Sequence, residues 1–156
     1  MDFKSNTKNN FMIKLVIIFL SLVSPFIMIY FGGIKPSLSS YWNSHFQAMF
    51  IIVNALTTYI FMDLPKWKPS GIMLFLLTIF SVEYYSAIHD LFAILFFVFT
   101  LYPLYSIRRY RYFLIPYLLS AYWLPNLLWF EVHAIMVLCI YHLVMLIKLH
   151  NIHPTN

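Results

Sequence analysis

The sequence predicts an all-α protein, a polytopic transmembrane helix bundle of about six spans with both termini cytoplasmic. Composition is the first reason. Of 156 residues, 62% are hydrophobic and only 10% are charged, against about 25% charge in soluble domains. That is too little charge to dress a soluble surface. Spacing is the second reason, because apolar runs near the roughly 20 residues that cross hydrocarbon recur along the chain. The third is where the bases fall: in short clusters between apolar runs, as membrane orientation requires. The net charge of +5 therefore implies no nucleic-acid partner, since no basic stripe lies on an amphipathic element.

Spans are expected at about 11–31, 45–62, 71–85, 88–106, 112–124 and 127–147, in one domain covering 11–148. The lead-in, residues 1–10, is polar and expected to lack structure. A basic start followed by an apolar run resembles a signal peptide, but this run exceeds the usual apolar stretch of about 7–15 residues. No A-x-A-like cleavage site follows it, so it reads as a retained first helix, kinked or interrupted near Pro25. Gly32-Gly33 ends that helix, and Pro36 forces an extended or turning backbone around it. Tyr41 and Trp42 carry rings suited to the headgroup level. After span two, Asp63-Leu64-Pro65-Lys66-Trp67-Lys68-Pro69-Ser70-Gly71 makes a proline-punctuated basic turn.

From Gly71 to Ile107 the chain is too long and too apolar for one crossing. The polar residues Glu83, Ser86, His89 and Asp90 divide it into spans three and four. Arg108, Arg109 and Arg111 follow as a basic anchor for anionic lipid. Pro125-Asn126 divides the last apolar stretch into a short fifth span and a sixth. Residues 149–156 form a polar cytoplasmic tail. Cys139, the one cysteine, lies in the sixth span and cannot form an internal disulfide.

Charge supports the count. With six spans, Lys4, Lys8, Lys14, Lys66, Lys68, Arg108, Arg109, Arg111 and Lys148 share one side, and of the 10 bases only Lys35 falls on the other. Such a bias marks the basic side as cytoplasmic.

The same topology gathers Glu83, Asp90 and Glu131 with His45, His89 and His133 at the outer ends of spans. These form a candidate outer-face cluster of His45, Glu83, His89, Asp90 and Glu131. At 100° per residue, Glu131 and His133 diverge by about 200°, whereas Glu131 and His142 share a face about 16 Å apart along the axis. Glu131, Ile135, Leu138, His142 and Met145 thus form an intramembrane stripe expected to face the bundle, with His133 turned to headgroups. Ionisable groups at membrane depth are costly and mark functional sites.

His and carboxylate side chains are zinc ligands, so His89, Asp90 and Glu131 are the candidate ligands of a divalent metal, the one cofactor this set would take. No H-E-x-x-H spacing supports it. Ser86, three residues before His89, fits a cap or turn better than a nucleophile. With three glycines in the chain and no Gly-rich loop, phosphate cradling is excluded.

Three segments carry a family likeness. Pro36-Ser37-Leu38-Ser39-Ser40-Tyr41 resembles an outer P-S-[IL]-S-x-Y stretch of a group of uncharacterised bacterial six-span integral membrane proteins. Ile88-His89 resembles the start of their aromatic-rich fourth span, and Trp129-Phe130-Glu131 resembles the opening of their last. The basic-acidic start of their second span is replaced here by Ser44-His45-Phe46-Gln47. The resemblance implies the six-span plan, a bacterial cytoplasmic membrane and no known reaction. Ceramidase-like membrane hydrolases, by contrast, would need a paired H-x-x-x-H on the last helix, which this chain lacks.

The expected function is non-enzymatic: a binding, transport-associated or complex subunit, with the lipid bilayer and other membrane subunits or a second copy as partners. A metal-dependent membrane hydrolase at the outer face is one alternative. A proton- or ion-coupled carrier using Glu131 and His142 is the other.

Overall fold

The computed structural model describes residues 3–152, with side chains over 10–150. Six α-helices follow one another: α1 (Phe3–Gly32), α2 (Gln47–Met62), α3 (Lys68–Ile79), α4 (Val82–Ser106), α5 (Leu114–Leu119) and α6 (Leu127–Ile152). Four 3₁₀ segments join them: Leu38–Asn43, Pro65–Trp67, Arg108–Phe113 and Ser120–Trp123. There is no strand among the described residues, and the architecture is an all-α bundle. Asn10–Gly32, Val82–Ser106 and Leu127–His150 are each long and apolar enough to cross a membrane.

Outward-facing side chains fit that environment. Phe19, Phe75, Ile94 and Val98 are exposed in mid-helix, where a soluble protein would carry charge. Tyr30, Tyr84 and Tyr122 are 82%, 77% and 80% exposed at one end of the bundle. Tyr102, Tyr105 and Tyr112 are exposed at the other. Two aromatic girdles are what headgroup layers select.

The two ends are held differently. At the basic end, Lys14 of α1 pairs with Asp63 after α2. Trp67 is packed there against Phe61, Tyr141 and His142, with ring centroids 5.1, 5.1 and 4.4 Å away. Arg111 donates to the Tyr105 carbonyl at 3.0 Å and lies over its ring at 4.4 Å, while Lys148 lies 5.1 Å over Tyr110. Arg108, Arg109 and Arg111 are all exposed, free to meet headgroups or water. At the opposite end the segment after α1 folds back across the bundle. Gly33, at φ 73°, makes that reversal in a backbone region glycine enters without cost. The Tyr41 hydroxyl then donates to the Gly33 carbonyl, and Leu38, Tyr41, Met28, Phe50, Leu128 and Val132 pack as a core of their own.

Several boundaries differ from the sequence reading. The first helix begins at Phe3 and takes in most of the polar lead-in, whereas residues 1–2 and 153–156 lie outside the described residues. It is also unbroken through Pro25, because one proline removes a single backbone bond, here the one to the Ser21 carbonyl. The turn between α3 and α4 falls at Phe80-Ser81 and not at Glu83–Asp90. Ser81 caps α4 by accepting from the Glu83 N–H at 3.1 Å, so Glu83, His89 and Asp90 all belong to α4. That helix bends at Tyr85 (φ −138°, ψ 42°).

The 112–124 region is the least regular. α5 has only six residues, but its 3₁₀ flanks rise about 2.0 Å per residue against 1.5 Å in an α-helix. Laid straight, the segment 108–123 would reach at most roughly 29 Å, near the hydrocarbon thickness of about 30 Å. Its contacts follow α6 end to end: Tyr110 by Lys148, Phe113 by Tyr141 at 5.5 Å, and Ser120 bonded to His133 at 3.0 Å.

Candidate functional site

Between the helices lies a half-open, mostly apolar cavity of about 90 Å³. One wall is the face of α6 carrying Glu131, Ile135, Leu138 and His142, residues that recur at the 3.6-residue period and so share one side of the helix. Ser21, Ser24 and Met28 of α1 and Asn54 and Thr57 of α2 face them across the space. A smaller cavity of about 30 Å³ continues toward the basic end, lined by Lys14, Leu64, His142, Met145 and Leu149. Ile18, Ile60 and His142 line both.

Glu131 stands at the far end of the larger cavity, 8% exposed. Its Oε2 accepts from the Leu38 backbone N–H at 2.6 Å. Leu38 opens a 3₁₀ segment that has no side-chain cap of its own, so a carboxylate from a residue 93 positions later supplies the acceptor. The Leu128 N–H donates in return to the Pro36 carbonyl at 3.1 Å. Among the described residues, no basic group lies within ion-pair distance of Glu131.

His142 is 3% exposed. Its Nδ1 lies 2.8 Å from the Leu138 carbonyl. A carbonyl can only accept, so Nδ1 carries the proton and Nε2 presents a lone pair. Nε2 is buried and has no partner among the described residues. The rings of Phe61, Trp67 and Tyr141 enclose it on the basic side.

The wall shared by the two is mostly apolar, with a few polar side chains set into it. Ser21 Oγ and Thr57 Oγ1 are 2.7 Å apart, with Ser24, Ser39 and Asn54 also in the wall. Pro25 frees the Ser21 carbonyl nearby. These polar groups suit a cavity that holds a few waters or a small ligand, since buried water needs polar partners.

The outer-face cluster converges only in part: Asp90 is near enough for its charge to be felt at Glu131. His45, Glu83 and Asp90 are exposed, and Glu131 is committed to Leu38. His89 is buried but turns to the Phe80 carbonyl, 2.7 Å from its Nδ1. Among the described residues, no three His, Cys, Asp or Glu side chains are gathered where they could hold a metal ion. His89, Asp90 and Glu131 are thus not a ligand set here: the folded-back loop and the α3–α4 turn have taken the two buried members. His133 likewise meets Ser120 at 3.0 Å and is half-buried, not turned to headgroups, because the 108–123 segment packs against that side of α6.

The cavity's polar rungs on α1 and α2 were missing from the sequence reading. The signal was present as Ser21 and Ser24, and Asn54 and Thr57, each pair three apart within an apolar run and so on one face. Comparison with protein-family models, with curated proteins and with solved structures returned no match to this chain.

Proposed function

We propose that the protein is a six-pass integral membrane protein of a bacterial cytoplasmic membrane, working as a binding or transport-associated subunit through its central cavity. The observation that carries this reading is the half-open space between α1, α2 and α6, whose wall includes both Glu131 and His142. Ionisable groups that face a bundle interior at membrane depth commonly mark a ligand or ion route.

Three passes rest on the three long apolar helices, and the proposed count of six adds α2, α3 and the 108–123 segment that lies along α6. Sidedness follows from Lys14, Lys66, Lys68, the arginine cluster and Lys148, whose end would face the cytoplasm. The bacterial setting follows the sequence resemblance.

Cys139 provides the test, because it lies in the cavity wall and is the chain's single cysteine. In intact membranes, a small water-soluble thiosulfonate reagent should label it, and Thr57→Leu should slow that labelling. Labelling by lipid-soluble reagents alone would mean that no aqueous route wide enough for a small ligand reaches the cavity, and the reading would fall. Cysteines placed at Lys35 and Lys148 in a Cys139→Ser background should react from opposite sides of the membrane.

A further inference from the structure

We infer that the two cavities form a proton path across the bundle, with Glu131 at its entrance and His142 as the relay between the two chambers. The inference deepens the cavity reading and rests on it, naming the proton as the species the cavity handles.

Three independent observations carry it. The wall of the larger cavity includes Glu131, the Ser21–Thr57 hydroxyl pair and His142, and that of the smaller includes His142 and Lys14. His142 therefore forms part of the wall of both, and among the described residues no other titratable side chain does so. Its tautomer is fixed by the Leu138 carbonyl, leaving a buried Nε2 with no hydrogen-bond partner among the described residues. Such an atom is costly to leave unmatched in a packed interior, and it is the atom at which a proton would arrive. Beyond Lys14 stands Asp63, its ion-pair partner, whose side chain is 47% exposed and opens the path to the basic face.

The chemistry is one proton-transfer cycle. A proton delivered through the larger cavity adds to Nε2, forming one N–H bond and an imidazolium. Release of that proton into the smaller cavity breaks the same bond and restores the same neutral tautomer, with the proton as the only charge moved. The titratable groups around His142 are Tyr141 on its own helix, Cys139 in the wall of the larger cavity and Lys14 of α1, with Glu131 at the cavity's far end. The 64–67 turn and α2 contribute rings and aliphatic side chains there, namely Trp67, Phe61, Ile60 and Leu64.

The test uses the full chain reconstituted into vesicles that trap a pH-sensitive dye, with valinomycin and a potassium gradient setting the voltage. Wild type should acidify or alkalinise the lumen faster than protein-free vesicles. His142→Phe should fall to the protein-free level and Glu131→Gln should lie between. Modification of Cys139 in the folded wild type by the thiosulfonate should also abolish flux, and dithiothreitol, which reduces the mixed disulfide, should restore it. This arm is independent of whether His142→Phe folds. Cys139 labelling from water without voltage-driven proton flux would overturn the relay and leave the cavity reading intact. No labelling from water would overturn both. Flux that survives both His142→Phe and Cys139 modification would overturn the relay as well.

Discussion

The starts of α4 and α6 carry similar residues and meet different fates. Each has a carboxylate and a histidine within its opening turns: Glu83, His89 and Asp90 in α4, and Glu131 and His133 in α6. In α4 both carboxylates are exposed and the histidine is buried. In α6 the carboxylate is buried and the histidine is half-buried. The difference comes from what lies across each helix. The 33–44 loop folds over the start of α6 and offers Leu38 N–H to Glu131. Only the short Phe80-Ser81 turn precedes α4, and it offers a carbonyl, which a histidine can satisfy and a carboxylate cannot. Burial of a charged or polar group is decided by the partner brought to it.

Substitutions should widen or erase that contrast. Leu128→Ala should have the largest effect. Leu128 is fully buried beneath the folded-back loop, and truncating such a side chain costs about 2–5 kcal/mol. A thermal unfolding series in detergent should show it, with the loop becoming accessible to protease. Glu131→Ala should follow, at about 1–3 kcal/mol for a buried donor left without its acceptor. Glu131→Gln, which keeps an acceptor oxygen, should recover most of that loss in the same assay.

His89→Ala should cost a comparable or slightly smaller amount, roughly 1–2 kcal/mol, by orphaning the Phe80 carbonyl. An effect as small as that of Asp90→Ala would show that the α3–α4 turn does not depend on His89. Asp90→Ala and Glu83→Ala should change stability by no more than about 0.5 kcal/mol, since both side chains are exposed. If Asp90→Ala matched Glu131→Ala, the contrast between the two helix starts would be lost.

The legible and illegible parts of this fold divide along the same line. Helical class, apolar spans and the clustering of bases follow from local composition. The stripe from Glu131 to Met145 follows from helix period alone, and the structure lays it along the two cavities. What could not be read is contact between distant segments. Leu38 and Glu131 are 93 residues apart, and no periodicity records that one will cover the other. Three outer-cluster candidates, His45, Glu83 and Asp90, stay at the surface for want of such a cover. The turn at Ser81 was hidden for a different reason. Its serine cap competes with a more polar stretch a few residues later, and polarity alone favours the wrong one.

The stretched segment 108–123 has a consequence for the kind of lipid this protein tolerates. Its 3₁₀ portions, Arg108–Phe113 and Ser120–Trp123, contain six and four residues. Rewinding them into α-helix would shorten the segment by about 0.5 Å per residue, or roughly 5 Å in all. Biological bilayers differ in hydrocarbon thickness by a few Å. If this segment crosses the membrane as proposed, it has an adjustable length of the same size as that variation, while α6 beside it is one continuous helix. Thinner bilayers should be accommodated by this segment, and thicker ones resisted. Melting temperatures across a series of phospholipids with increasing acyl length should therefore fall more steeply on the long side than on the short.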